Sequence, residues 1–553
     1  MISNKELANL IFPNVKTTLE DLEKKYPNRT LPERAEVTRF APSPTGFLHT
    51  GSLFTSMICH KLANQTNGVF YIRLEDTDSK REIEGSGEKL LNELKEFNIV
   101  PTEGYLGTHE IGDYGPYVQS KRADIYKVAI KHLISIGRAY PCFCSVEELD
   151  EIRKVQETNK MLPGYYGKFA KCRYLSNEER EAKIRNGDPF VIRFLSNGNH
   201  NNKIKAHDLI HGDISIAEND QDIVIYKSDG LPTYHFAHIC DDHFMRTTTV
   251  IRGEEWISSL PIHIQLFDAM GWAAPRYAHV PVIMKIDENG NKRKLSKRKD
   301  PEAACSFFID DGYPSEALSM YLMTIANSNF EEWIFANKFK DMNDFKFSFE
   351  KVSLDGALFD LVKLQFFARE ILARKTKEEM LVLAEKYAKN HDKALESLIS
   401  HDRNYFMDII NIERDSENPR KDYSHFGELV GAIGFFYHDI YKKELDISLF
   451  NPLIEKKVIA NVLSECRKLD IDKPQNEWFD QMKQIAIKNG FAESNKVYKA
   501  NKEAFIGHVG DVAEMLRIAL TGRKNSPNLY FVMKVLGGLE STKRIDCVIS
   551  LLK

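Results

Sequence analysis

Between Val37 and Leu74 the chain runs through a strand-like V-T-R-F, a turn stiffened by Pro42 and Pro44 and bent at Gly46, a helical stretch, and a nearly continuous apolar run from Val69. From about Gly51 to Gln65, the residues Leu53, Phe54, Met57, Ile58 and Leu62 fall near one helical face. A run like Val69–Leu74 suits a strand buried on both faces of a parallel sheet. Strand, helix, strand in this order predicts a doubly wound α/β sheet, whose ligands lie beyond the carboxyl ends of the strands. The turn after Phe40 is at that edge. His49 and Gly51 then open the helix, where unpaired N–H groups and the positive dipole end favour phosphate. Without a side chain, Gly51 lets a flat adenine or ribose approach, and His49 can donate to phosphate oxygens as charge builds. A Pro/Gly turn with a capping histidine explains the segment taken alone equally well.

About 250 residues later, Lys294-Leu295-Ser296-Lys297-Arg298 sits in a dense basic run from Lys292 to Asp300. A solvated surface loop is the plain reading of such a run. The functional reading is a mobile arm that closes over a nucleotide and excludes water, with Lys297 neutralising charge on a transferring α-phosphate.

As a pair, His49–Ser52 and Lys294–Arg298 resemble the HIGH and KMSKS signatures of class I aminoacyl-tRNA synthetases. T-R-F-A-P-S-P-T-G, Arg73–Asp78, Ser228–His235, Asp241–His243, Arg252–His263 and Gly356–Leu364, in that order, are similar to motifs of the glutamyl-tRNA synthetase family. The end of the chain, from about Ala513, resembles its last anticodon-binding helices. The resemblance implies an α/β Rossmann-like catalytic domain at 36–126 and 235–275, split by an inserted α+β acceptor-stem-binding domain at 127–234. All-α stem-contact (276–370) and anticodon-binding (371–553) domains would follow. Residues 1–35 read as a helical extension with a break at Tyr26-Pro27-Asn28.

The resemblance also implies the chemistry. ATP, with Mg2+, and L-glutamate would give glutamyl-adenylate and pyrophosphate, and glutamate would pass to the 3′-terminal adenosine of tRNA(Glu), with tRNA needed for the first step. Matching positions make His49 and Lys297 catalytic, and His49, Gly51, Lys294, Ser296 and Lys297 ATP-binding. Glutamate would be held by Arg39 and Arg252 at its carboxylates, Glu75 at its ammonium, and the hydroxyls of Ser43 and Tyr234. His238 stands where the family often has asparagine, and can still bond a carboxylate. Thr50 and Ser52 also depart from the commonest signature. Some family members bind Zn2+ with three cysteines and a fourth ligand; Cys142, Cys144 and Cys172, with Tyr166 or Tyr174, would suit it. Three reduced thiols without a metal fit equally well. Some members also charge tRNA(Gln).

The A-P-S-P-T-G form disfavours a glutaminyl-tRNA synthetase, and the long C-terminal half disfavours the short paralogue that glutamylates queuosine. A non-catalytic relic would be free to lose His49, Gly51 or Lys297, and all three are present. The net charge of -4 excludes a uniformly basic surface, so a polyanion would bind at local patches. In the helical second half, Arg420–Tyr423, Tyr441–Lys443 and Asn495–Lys502 place aromatics beside cations, and Thr521–Asn525 adds two more cations. With no apolar run of the roughly 18 residues a membrane span needs, and no secretory-type start, a cytoplasmic location is expected; a monomer is expected as well.

Overall fold

The computed structural model describes residues 2–44, 46–77, 83, 85–296, 298–354 and 357–553. The chain forms two compact units, one from residues 1–308 and 319–360, the other from 309–318 and 361–553. Among the described residues, no helix is long and apolar enough to cross a membrane.

The first unit opens with α1 (Asn4–Ile11) and α2 (Leu19–Lys25), each started by a capping box, Ser3 with Glu6 and Thr18 with Asp21. Next come β1 (Val37–Phe40), α3 (Thr50–Gln65), β2 (Val69–Ile72), α4 (Ser86–Glu96), β3 (Glu103–Tyr105) and β4 (Glu110–Ile111). Strands β1, β2 and β3 are parallel, and β4 closes that edge antiparallel. After α5 (Ala123–Ser135), the strands β5 (Ala139–Cys142), β6 (Val191–Phe194) and β9 (Val224–Tyr226) form a separate antiparallel sheet. Between β5 and β6 lie α6 (Val146–Thr158) and α7 (Asn177–Arg185), and between β6 and β9 the hairpin β7 (Lys203–Asp208) and β8 (Gly212–Ala217). The chain then returns through α8 (Tyr234–Phe244), β10 (Thr249–Gly253), α9 (Leu260–Met270) and β11 (Arg276–Val280). The β10–β11 pair is parallel, and Thr248 N donates to Val37 O, tying this pair beside β1. Strands β12 (Ile283–Ile286), β13 (Lys292–Lys294) and β14 (Ala357–Leu358) make a last small sheet.

Several expected boundaries move, each because packing crosses them. The extension 1–35 is not separate: Leu7 and Ala8 of α1 are buried in one core with Tyr126, Ala129 and Leu133 of α5 and Phe236 and Leu266 of α8 and α9. The same core runs across the 126/127 boundary, which falls inside α5. The hairpin β7–β8 lies in the expected insertion, yet Asp208 pairs with Tyr277, adding the hairpin to the β10–β11 sheet. Residues 276–370, expected to be all-α, begin with β11, β12 and β13, since buried Tyr277, Ala278 and Val280 continue the α/β sheet. The 370/371 boundary cuts the helix Leu361–Arg374, whose buried Leu364, Phe367, Ile371 and Leu372 go with the second unit.

That unit is helical, as the 3.6-residue pattern requires. One apolar core includes Phe406, Leu463, Trp478, Met515 and Val548. Gly537, at φ +76°, divides the helix Leu529–Leu552 into two arms. Buried Arg544 donates to the carbonyls of Phe435, Leu520 and Phe436, which satisfies a charge held inside the core.

Candidate active site

At the carboxyl ends of β1, β2 and β10 a cavity of about 610 Å³ opens. Its walls include Arg39, Ser43, His49, Gly51, Glu75, Tyr234, Arg252 and Lys294. It lies where the strand order reverses between β1 and β10, the ligand edge of an open α/β sheet.

On one side, His49 is the N-cap of α3, and its Nδ1 accepts from Gly51 N at 2.9 Å. That bond places the imidazole proton on Nε2, making it a donor. A β-carbon at residue 51 would stand 3.2 Å from His49 Nδ1, so glycine keeps this cap uncrowded. The first turn of α3 has no acidic residue. Gly46, at φ +128°, makes the bend before it in a region that favours glycine.

The basic run grows from the β12–β13 hairpin. Leu295 is buried and its N–H donates to Ile283 O. Asp300 accepts both arms of Arg293, at 2.6 and 2.7 Å, and Ser296 N at 2.9 Å. The Arg293 bonds hold its carboxyl well below the usual range. Lys294 Nζ lies 3.0 Å from Glu255, also in the cavity wall. Just beyond the run, His49 bridges Ala304, Cys305 N donates to Leu48 O, and Thr50 Oγ1 donates to Glu302 O. The two segments far apart in sequence are thus stitched together at their roots. Lys297 lies outside the described residues.

On the opposite side a buried ionic network supports the wall. Arg73 reaches Glu75 at 3.0 Å, Asp242 at 2.7 Å and Asp241 at 3.6 Å. Arg39 lies 3.2 Å from Asp242, and Arg122 lies 2.5 Å from Asp241. Gln119 bridges Asp241 at 2.9 Å and Glu75 at 3.4 Å. Three guanidinium groups thus meet three carboxylates away from water, the balance that buried charges require. Burial works against the Asp242 charge, but Arg39, Arg73 and His238 outweigh it and hold that carboxyl well below its ordinary value. Glu75 goes the other way: burial raises it, more than Arg73 and Arg39 lower it.

Three sequence expectations change here. His238 does not line the cavity. It is fully buried behind it, with Nδ1 2.8 Å from Asp242 and Nε2 3.1 Å from the Tyr277 hydroxyl. One turn of α8 separates His238 from Asp242, which draws the ring inward. The thiols of Cys142, Cys144 and Cys172 do gather, their sulfurs all within 4.8 Å of one another and none in a disulfide. The hydroxyl beside them is that of Tyr165, 3.5 Å from Cys142 Sγ and 3.2 Å from Cys144 Sγ. Tyr166 and Tyr174 donate instead to the carbonyls of Leu162 and Gly167. Ser296 does not line the cavity either; its N–H serves Asp300. Gln119, Asp241 and Asp242 carry much of the site's electrostatics without being singled out in sequence, although D-D-H stood in a recognisable motif.

In the second unit, Tyr441 is buried with its hydroxyl on Ala519 O, and Tyr423 accepts from Arg414, so neither ring stands ready to stack on a base. Lys496, Lys499 and Lys502, which flank half-buried Tyr498 in sequence, are exposed.

Residues 36–365 match the family of tRNA synthetases class I (E and Q), catalytic domain, and residues 389–549 match an anticodon binding domain. A glutamate–tRNA ligase of Clostridium perfringens (strain 13 / Type A) is 45% identical over 549 residues, covering 98% of this chain and 100% of that one. Another, of Clostridium beijerinckii, is 44% identical over 550 residues, covering 99% of each. Among solved structures, a glutamate tRNA ligase from Elizabethkingia meningosepticum in complex with its amino acid aligns with a TM-score of 0.75 at 28% identity, covering 94% of this chain and 100% of that one.

Proposed function

Because the chain belongs to the class I tRNA synthetases for glutamate and glutamine, we propose that its cavity is the site of a glutamate–tRNA ligase. The observation that carries this reading is one cavity whose wall combines the helix terminus His49–Gly51, the loop-root residue Lys294, and the set Arg39, Glu75 and Arg252. Glutamate has two carboxylates and one ammonium; two arginines and one carboxylate answer them. The class implies ATP, usually with Mg2+.

Glutamate lies on the β1–β2–β10 side, with Ser43 and Tyr234 adding hydroxyls. Its α-carboxylate oxygen attacks the α-phosphorus of ATP, and the bond to the bridging oxygen of the β-phosphate breaks to release pyrophosphate. His49 Nε2–H and Lys297 stabilise the charge gathering on the phosphate oxygens. The 3′-terminal ribose hydroxyl of the tRNA then attacks the acyl carbon, and AMP leaves. The β5–β6–β9 sheet with α6 and α7 serves the acceptor end, and the second unit serves the anticodon. There the Lys496–Lys502 segment around Tyr498 suits an unpaired base and its phosphates. Both tRNA(Glu) and tRNA(Gln) are candidate substrates.

Pyrophosphate exchange with ATP and tRNA(Glu), run with glutamate and then glutamine, tests the assignment. Exchange is expected with glutamate alone and only when tRNA is present. Exchange with glutamine, or with glutamate in the absence of tRNA, overturns it.

The cysteine cluster also fits Zn2+. Cys144 and Cys172 sulfurs are 3.6 Å apart, close to the ~3.8 Å that tetrahedral Zn–S bonds of ~2.3 Å would set. These three cysteines, with Tyr165 as the fourth group, would hold the ion as a clamp between β5 and the segment around Cys172. Protein purified without chelator is expected to carry about one zinc per chain, and Cys144→Ser to lose it; wild-type protein without zinc rules the site out.

A further inference from the structure

Arg252 and Arg39 both line the cavity, but their partners differ in kind. Arg39 is paired with the Asp242 carboxylate. Arg252, among the described residues, pairs with no carboxylate. Its Nε donates to His279 Nε2 at 3.0 Å, its Nη1 lies 3.2 Å from His263 Nδ1, and its Nη2 donates to Trp256 O at 3.4 Å. The Tyr277 ring lies 4.9 Å from its guanidinium carbon. All of these acceptors are neutral.

The acceptors are themselves locked. His279 is the cross-strand neighbour of Arg252 in the β10–β11 register. Its Nδ1 is 2.7 Å from Asp208 Oδ2, so the proton sits on Nδ1 and the Nε2 lone pair faces the arginine. Asp208 is kept in place by the N–H groups of Ile210, His211 and His279. On the other flank, Arg252 Nη1 can only donate, so His263 Nδ1 accepts and the ring proton sits on Nε2, 3.0 Å from His235 Nδ1. Burial lowers the pKa of both His263 and His279, so neither ring sets a like charge against the guanidinium. The carboxylate that offsets Arg252 is thus held one imidazole away, out of direct contact.

We propose that His279 and His263 are positioning residues for amino-acid selection. They aim Arg252 into the cavity through neutral acceptors, with Asp208 acting through His279, so that the first carboxylate to touch this guanidinium is the substrate's. Glutamate supplies it; glutamine offers an amide in its place, and the charge-assisted contact is lost. The inference rests on the reading of Arg252 as the holder of glutamate's side-chain carboxylate, since glutamine carries the same α-carboxylate.

The test compares His279→Gln, His279→Glu and Asp208→Asn with Arg252→Ala, using pyrophosphate exchange with ATP and tRNA(Glu). KM for glutamate, KM for ATP and the ratio of glutamate to glutamine activation are read for each. His279→Glu places a carboxylate directly on Arg252. It is expected to raise KM for glutamate about 100-fold, to leave KM for ATP within about twofold, and to compress the glutamate-to-glutamine ratio. His279→Gln keeps a neutral acceptor and is expected to restore most of the affinity. Asp208→Asn preserves shape but frees the His279 tautomer; a rise of about tenfold in KM for glutamate is expected, and this variant decides the matter should His279→Glu not fold. If Arg252→Ala raises KM for glutamate while the other variants keep the wild-type KM and ratio, the cradle is refuted and the arginine's role stands. A fall in kcat alone in those variants refutes it too, since that marks a structural role. An unchanged KM for glutamate in Arg252→Ala removes the premise itself.

Discussion

On the β1–β2–α8 side of the cavity, Arg39, Arg73, Asp241, Asp242 and Glu75 are buried and mutually paired. On the β12–β13 side, Lys292, Lys294, Arg298 and Lys299 stand exposed on a run rooted at Leu295 and Asp300. On the proposed reading, the difference follows two tasks. Choosing an amino acid calls for groups already oriented before the substrate arrives, with their rotamer freedom given up on folding. Stabilising charge that appears only during phosphoryl transfer calls for groups that arrive with closure and exclude water. A mutation on the first wall should act on glutamate, and one on the second should act on the rate of adenylate formation.

The sharpest separation is expected from Arg252→Ala. Loss of a buried charged partner should lower kcat/KM for glutamate by about 1000-fold, with KM for ATP little changed. An effect confined to ATP would show that the walls have been assigned the wrong substrates. Lys297→Ala should slow single-turnover adenylate formation on the order of 100-fold while glutamate affinity persists. If glutamate binding weakens as much as the rate, the division of labour between the walls breaks down. Asp300→Asn weakens the bidentate Arg293 contact at the root of the run, and a loss of about tenfold in the same rate is expected. A rate equal to wild type would mean that the loop does not depend on this anchor.

The smallest effect concerns acid stability. Burial, only partly opposed by Asp242, lowers the His238 pKa to about 3, from 6.5 for an ordinary imidazole. Between those values the unfolded chain binds a proton that the folded wall refuses. Stability is therefore full above the ordinary value and falls on acidification, by up to about 1.4 kcal/mol per pH unit. Denaturant midpoints at about pH 7.5 and about pH 5.5 should differ less in His238→Asn than in the wild-type chain. Equal acid losses in the two proteins would take His238 out of this account.

Features legible in the sequence were those whose physics is local. Val37–Phe40 is a strand as read, and the helix expected from Gly51 begins at Thr50, because apolar spacing and the Pro/Gly turn determine both within a few residues. His49 and Gly51 could be placed at a helix start for the same reason. The cysteine group was visible from spacing, but its fourth neighbour was not. Tyr165, Tyr166 and Tyr174 are chemically alike, and it is the burial of Tyr165 beside Cys172 that distinguishes them.

Other features came from contacts between segments remote along the chain. Arg39 meets Asp242, Arg122 meets Asp241, and Asp208 reaches Arg252 through His279 across three adjacent strands. No periodicity encodes which carboxylate a given arginine will find. Buried charge must be balanced somewhere, and folding selects the partner from many of equal chemistry. The inward turn of His238 and the joining of the β7–β8 hairpin to the catalytic sheet have the same origin: local sequence offers the donors, acceptors and strands, and long-range packing decides how they pair.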